Sequence, residues 1–561
     1  MSKSRKPTLD VLGPRGGVLQ ALTNANEDTV RWQGANDEEL GTGVEYQDTR
    51  ADEDLNVRVP RDGDGSGTGL RIRARNVFTT ANTNGVTDVA FAAILDDGTA
   101  IAWGDPANPA SDASAVKDKL ENVKTLVSTT MAFAALRADG SVVTWGSPRM
   151  GGEIPEDLGD ALDSGVIQLH STTFAFAALR DDGRVVTWGN SSFGGDSSAV
   201  AEEIAQGVDR VFAYEGTFAA FKKEQGALIV WGMYSPPSNI REQLRSGVKH
   251  ITQNGWAFAA HKDDDSALAW GHPQFGGDVP EGVRDQLQSD VVRIECNPHA
   301  FAALKKGGAV VTWGDSGSGG DSANVASQLG SDVESITASA VAFAARKKDG
   351  SVVTWGSGGG GGDSSAVADK LRDGVVSVHG STWAFAARKQ DGSVVTWGHW
   401  NSAGGGDHNV DDPEVVQELS SGVLKVQAFY AAFVGYKAGG KLVTWGGLGS
   451  GGDSSTVRQK LQSGVREVFS NLRGGALAAL REDGAVVTWG RAQNGGDSSA
   501  VEAHLQDGVK TLYAAPFALA ALKNGNLVLW GYQQNRAASR LIATAPPELE
   551  GNISYSALLD D

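Results

Sequence analysis

The stretch Gly392-Ser393-Val394-Val395-Thr396-Trp397-Gly398, with its near-copies, decides the fold. A Trp-Gly pair closing a short apolar run stands at Trp103, Trp145, Trp188, Trp231, Trp270, Trp313, Trp355, Trp397, Trp445, Trp489 and Trp530, at intervals of 39 to 48 residues. Self-similarity at such a period marks stacked units, each of which buries its apolar face only against a neighbour. The clearest unit runs from Gly356 to Gly398. Ser357–Gly362 is too glycine-rich to predict regular structure. Asp363–Leu371 predicts a short helix, with Val367 and Leu371 on one face and Asp or Ser capping its free amides. Gly374–Val378, Ala384–Ala387 and Ser393–Trp397 predict three strands, and Asp391-Gly392 a two-residue hairpin turn between the last two. The same Asp-Gly pair recurs in phase at Asp97, Asp139, Asp182, Asp349 and Asp483.

Runs such as Phe133–Leu136 and Val142–Trp145 do not alternate apolar with charged residues, so both sheet faces are expected to be covered. A radial stack does this, which predicts an all-β repeat protein: a β-propeller-like array of about eleven 43-residue units, each three strands plus a short helix. Eleven copies exceed the usual four to eight blades, and both terminal copies look complete, so an open β-solenoid-like stack is the alternative. Residues 1–75 lack the repeat. Short alternating stretches there, such as Asn56-Val57-Arg58-Val59, predict a small β module or cap. The array occupies 76–531, and 532–561 are expected to form a C-terminal cap or tail.

Composition narrows the function classes. The 561 residues carry 74 glycines and a formal net charge of −19. So acidic a chain lacks the clustered Lys and Arg that bind nucleic-acid phosphates, and no nucleic-acid partner is expected. No apolar run is long enough to span a bilayer. No apolar core follows the basic start Met1–Pro7, so the protein is expected to be cytoplasmic, or exported without a visible N-terminal signal. Cys296 is the only cysteine, which excludes internal disulfides and Cys-based zinc motifs.

The pattern Asp-Gly-x-Val-x-Thr-Trp-Gly, preceded by a strand of the Ala-Phe-Ala-Ala-Leu type, resembles the regulator of chromosome condensation repeat family. It is clearest at Asp139–Gly146, Asp182–Gly189, Asp349–Gly356 and Asp391–Gly398. The resemblance covers most of 76–531 and implies seven-bladed propellers that bind proteins. One branch of that family acts as a nucleotide exchange factor for a small GTPase, and others serve as recognition modules in ubiquitin ligases. The present units are shorter, they number eleven, and Gly-Gly-Asp-Ser-Ser stands where the family has Gln-Leu-Gly.

Candidate site residues are few. An acid recurs seven residues after the Trp-Gly glycine, at Glu153, Asp196, Asp278, Asp321, Asp363, Asp453 and Asp497, with Asp112 and Asp407 slightly displaced. These carboxylates are either helix caps or a cation row; calcium is the candidate ion, but the Gly358–Asp363 run lacks the tandem nine-residue copies such sites need. The nine histidines fall at different phases with no metal-ligand spacing, and neither a Gly-x-Ser-x-Gly elbow nor a phosphate loop occurs. No cofactor and no enzymatic activity are therefore expected. The repeated tryptophans are expected to pack the core, whereas Trp256, Trp383 and Trp400 lie off that phase and predict exposed contacts. With His399 and His408 in the longest interval, and Tyr234 in the irregular Met233–Asn239 segment, they form the predicted partner surface. The expected role is a non-enzymatic binding scaffold for a protein or a glycan. The alternatives are a GTPase exchange regulator and a self-assembling surface or secreted structural protein.

Overall fold

In a computed structural model, the array is described for residues 77–80, 90–398, 412–471, 475–514, 518–524 and 526–531; outside it, strands within 9–72 and at Ser556–Leu558 are described. The array is all-β: eleven three-stranded antiparallel sheets in chain order, from the sheet of Val77–Thr79, Ala90–Ile94 and Ala100–Gly104 to that of Val509–Ala514, Ala518–Lys523 and Asn526–Gly531. In the eighth unit Val375–Gly380 pairs with Ala384–Lys389, which pairs with Val394–Gly398. The middle strands are the most enclosed, with Ala384, Phe385, Ala386 and Ala387 all fully buried. Each sheet contributes one face to a core shared with the next unit, as where Ala342 and Ala344 pack with Phe385, Val395 and Trp397. Both faces are thus covered by neighbours, the propeller-like packing that the non-alternating strands imply.

Most first strands carry a bulge. In the third unit the register slips between Val166 and Gln168, leaving Ile167 outside the ladder and 46% exposed. An extra residue at this position twists an edge that would otherwise pair with another chain.

Three local expectations are corrected. The hairpin turn has three residues, not two. The Gly140 amide donates to the Arg137 carbonyl at 3.0 Å, the Arg137 amide donates to the Ser141 carbonyl at 2.9 Å, and Gly140 takes φ +80° while Asp139 stays at negative φ. This is a type I turn closed by a left-handed glycine, and the Asp139 carboxylate fastens it by accepting the Ser141 amide and hydroxyl. Second, the short helix is mostly 3-10, as at Ser365–Leu371. It is α at Ser238–Gln243, Glu281–Gln286 and Pro413–Leu419, each with a proline at its N-cap or first position; at Pro413 the ring fixes a φ that is already helical. Third, the glycine run is ordered: Gly358–Gly360 forms a 3-10 turn closed by Gly361 at φ +92°.

That closing glycine joins neighbouring units. A Cβ on Gly361 would lie 2.6 Å from Cδ2 of Phe385 in the next unit, so only glycine lets the ring approach. Phe385 stacks on Trp397 at 5.4 Å, and Trp397 Nε1 donates to the Gly361 carbonyl at 2.9 Å. Equivalent bonds run from Trp188 to Gly151, Trp313 to Gly276 and Trp489 to Gly451. The Asp-Ser-Ser that follows is fixed at both serines: Thr354 of Val-Val-Thr-Trp donates to Ser364 Oγ at 2.9 Å, while Asp363 accepts the Ser365 amide at 2.9 Å.

Outside the array, Glu39–Thr42, Arg31–Gln33, Leu55–Pro60 and Gly67–Ile72 form a sheet in that order, and Ser556–Leu558 adds antiparallel to Gly67–Ile72. The two ends of the chain meet in one sheet.

Candidate functional site

At one end of each sheet the start of the middle strand faces the end of the third, as Ala257 faces Gly271. Two loop positions crown this end: the residue before the middle strand and the 3-10 turn after the third. A polar side chain three residues ahead of the strand's first alanine ties them together. Asn254 Oδ1 accepts the Trp256 and Ala257 amides while its Nδ2 donates to the Phe275 carbonyl at 2.9 Å. Thr172 bonds the Phe193 carbonyl, Asn297 that of Ser318 and Ser339 that of Gly360 in the same way.

At Ser318, Val341, Gly360 and Ser450 this crown is small, although the eighth unit places Trp383 there. Between the third and sixth units it is aromatic. Phe174 meets Phe193 edge-on at 4.5 Å. Gly216 leaves the space into which Phe193 and Met233 reach, their nearest atoms 3.0 and 3.1 Å from where a Cβ would stand. Tyr234 faces Trp256 at 6.4 Å and 63°, and Trp256 meets Phe275 at 5.5 Å. Phe275 continues the band to His272 at 4.7 Å and His299 at 5.3 Å. Among these, Trp256 is 42% and Met233 43% exposed, so the band is open to solvent where they stand. Burial, and then the negative charge of Glu215, push the Tyr234 phenol above its ordinary range, so it stays protonated at neutral pH.

Of the residues singled out in the sequence, Tyr234 and Trp256 are brought together here. Trp383 holds the phase of Trp256 in the eighth unit, half-buried and apart from the band. His399, Trp400 and His408 lie outside the described residues, as does Asp407. The acids are not brought together. Asp196, Asp321, Asp363, Asp453 and Asp497 each accept an amide two residues on, at 2.8–2.9 Å. Asp278 pairs instead with Arg284 at 3.8 Å. Among the described residues no group of three or more His, Cys, Asp or Glu is placed to hold a metal ion. Burial pushes the Cys296 thiol up to about 12, and its Sγ donates to the Gln253 carbonyl at 3.1 Å.

Sequence reading singled out the segment that begins at Met233 but missed Phe174, Phe193, Phe275 and the Asn254 tie. The signal was available: bulky residues precede Ala-Phe-Ala-Ala at Met131, Phe174, Trp256, His299 and Trp383, where Val341 and Ala431 stand in two other units.

No protein-family model matches the chain, and no curated protein matches it. Among solved structures, the chain is similar to the CRINKLY WD40 ectodomain of the Arabidopsis thaliana receptor kinase ACR4, at 16% identity over 48% of this chain and 92% of that one, with a TM-score of 0.25. It is similar to Prp20p of Saccharomyces cerevisiae, a protein described with binding properties to Gsp1p and histones, at 17% identity over 43% and 73% of the two chains, TM-score 0.23. The computationally designed Ika8 protein matches at 13% identity over 58% and 97%, TM-score 0.21. No helix among the described residues is long and apolar enough to cross a membrane.

Proposed function

We propose that the chain is a non-enzymatic scaffold whose aromatic crown, from Phe174 to His299, docks a protein partner. The observation that carries this is the exposure of Trp256 and Met233 among aromatic side chains set on hydrogen-bonded loops. Aromatic residues and methionine are the types enriched at the centres of protein interfaces, and loops held by a packed frame cost little entropy on binding. The repeat motif also supports reading the array as a divergent member of the regulator of chromosome condensation repeat family, used here for recognition.

The test is partner capture with the full chain and with a Trp256→Ala, Phe275→Ala double variant, its fold checked by circular dichroism. Loss of the captured protein on the variant supports the proposal, and equal retention sinks it. Sedimentation velocity on both chains tests self-assembly: a dimer dissolved by the variant would make a second copy the occupant. Glycan-array binding lost on the variant would replace the protein partner with a sugar.

A further inference from the structure

Most of the crown is apolar, but its centre holds one carboxylate. Glu215 lies in the loop between Arg210–Tyr214 and Thr217–Lys222, exposed to solvent. Its Cδ is 3.6 Å from where a Cβ on Gly255 would stand, directly beside Trp256. Its charge also reaches the Tyr234 phenol. Among the described residues no Lys, Arg or His pairs with this carboxylate, whereas the half-buried Asp265 pairs with Lys306 at 2.6 Å. Beside it stand two rings that are steeply inclined rather than stacked, Tyr234 and Trp256 at 63°. Trp256 is the ring with exposed surface, and Phe275 lies behind it at 5.5 Å.

An unpaired carboxylate beside inclined aromatic rings suits a cation. The ring faces carry the negative part of the quadrupole, and the carboxylate supplies full charge. A neutral apolar side chain would use the rings but leave Glu215 to be desolvated without compensation. The formal net charge of −19 attracts cationic surfaces over longer distances.

We infer that the notch between Tyr234 and Trp256, closed on one side by Glu215, receives a single lysine or methylated-lysine side chain of a protein partner. This deepens the docking reading of the same crown and rests on it. Glu215 sets the charge preference, and Trp256 supplies the contact area.

The inference is tested by titrating short peptides into the full chain carrying fluorotryptophan. The peptides differ only at one position, holding lysine, trimethyl-lysine or norleucine. The Trp256 resonance is assigned by its absence in Trp256→Phe. Both cationic peptides should shift it and bind roughly tenfold more tightly than the norleucine peptide. Glu215→Gln, a surface change that leaves the fold intact, should remove most of that preference. Raised salt should weaken lysine binding to the wild-type chain more than to the variant. Equal affinity for norleucine and lysine overturns the cation site while leaving an apolar docking crown. No shift with any peptide, or a lysine preference untouched by Glu215→Gln, overturns it as well. The docking reading itself falls only if the Trp256→Ala, Phe275→Ala variant still captures the partner.

Discussion

Trp397 Nε1 donates to the carbonyl of Gly361, in the turn that precedes its own unit, at 2.9 Å. The bond crosses from one sheet to its neighbour and lies in the buried interior, where an unmade hydrogen bond is expensive. The indole therefore does two jobs: it fills the shared core against Phe385, and it satisfies a backbone oxygen that water does not reach.

Removing the indole N–H is expected to cost more where it is used. Trp397→Phe leaves the Gly361 carbonyl unpaired, a loss of about 1–3 kcal/mol beyond that of the smaller ring. Trp270 is also buried, but its Nε1 has no partner among the described residues, because Met233–Ser235 replaces the glycine turn before it. Trp270→Phe should lose only packing. Urea unfolding of the two variants compares them directly, and a larger loss for Trp270→Phe would count against the cross-unit bond.

Gly361 and Gly359 differ sharply although both lie in one glycine run. Gly361→Ala puts a methyl group 2.6 Å from Phe385 at φ +92°, whereas nothing lies closer than 3.7 Å to a Cβ at Gly359. Gly361→Ala should destabilise by roughly 2–4 kcal/mol, through strain and overpacking. Gly359→Ala should be within about 0.5 kcal/mol of neutral. Amide exchange resolves the effect unit by unit, and the loss should centre on the seventh and eighth sheets, since repeat stability is set by nearest neighbours.

The repeated aspartates predict an acid limb. The amide and then the hydroxyl of Ser365 hold the Asp363 carboxyl below its usual range, and the hydroxyl and then the amide of Ser393 do the same for Asp391. A carboxyl whose pKa is lower folded than unfolded stabilises the fold above the unfolded value of about 3.9, and this is lost as pH falls through the folded value. The contribution of these aspartates to the melting temperature should be flat from pH 7 to about pH 5 and fall increasingly below about pH 4. Asp363→Asn keeps an acceptor for the Ser365 amide, so its melting temperature should fall less over the same range. A slope identical to that of the parent chain would show the carboxylate to be idle.

Glu467 predicts the opposite sign. Burial pushes its carboxyl up to about 7, only partly offset by Lys425. Tyr436, whose hydroxyl donates to Gln427 Oε1 at 2.6 Å, stands close enough to feel its charge. A group whose pKa is raised on folding contributes fully below the unfolded value, near 4.3, and the contribution is lost as pH rises through about 7. Glu467→Gln should therefore gain melting temperature relative to the parent at pH 8.5 and lose that advantage at pH 5. Equal differences at the two pH values would remove Glu467 as the cause.

The array could be read from the chain because one unit is written eleven times. The Trp-Gly intervals gave the unit, the Asp-Gly phase located the hairpin, and the lack of alternation in Phe133–Leu136 implied cover on both faces. What escaped depended on three-dimensional detail. Asp139-Gly140 names a hairpin, yet only backbone angles separate a two-residue turn from a type I turn closed by a left-handed glycine. The glycine run Gly358–Gly362 looks structureless in isolation, because its purpose is the ring of Phe385, more than twenty residues further on. Trp256 and Tyr234 stood out as irregular, but their meeting, and the place of Glu215 beside them, arise from packing units that are separate in sequence.

The strand Ser556–Leu558 completes a sheet begun by residues near the start of the chain. A chain without Ser556–Leu558 would leave that side of Gly67–Ile72 uncovered, offering unpaired amides and carbonyls to any extended segment nearby. The short closing strand thus shields the longer one from adhesive pairing.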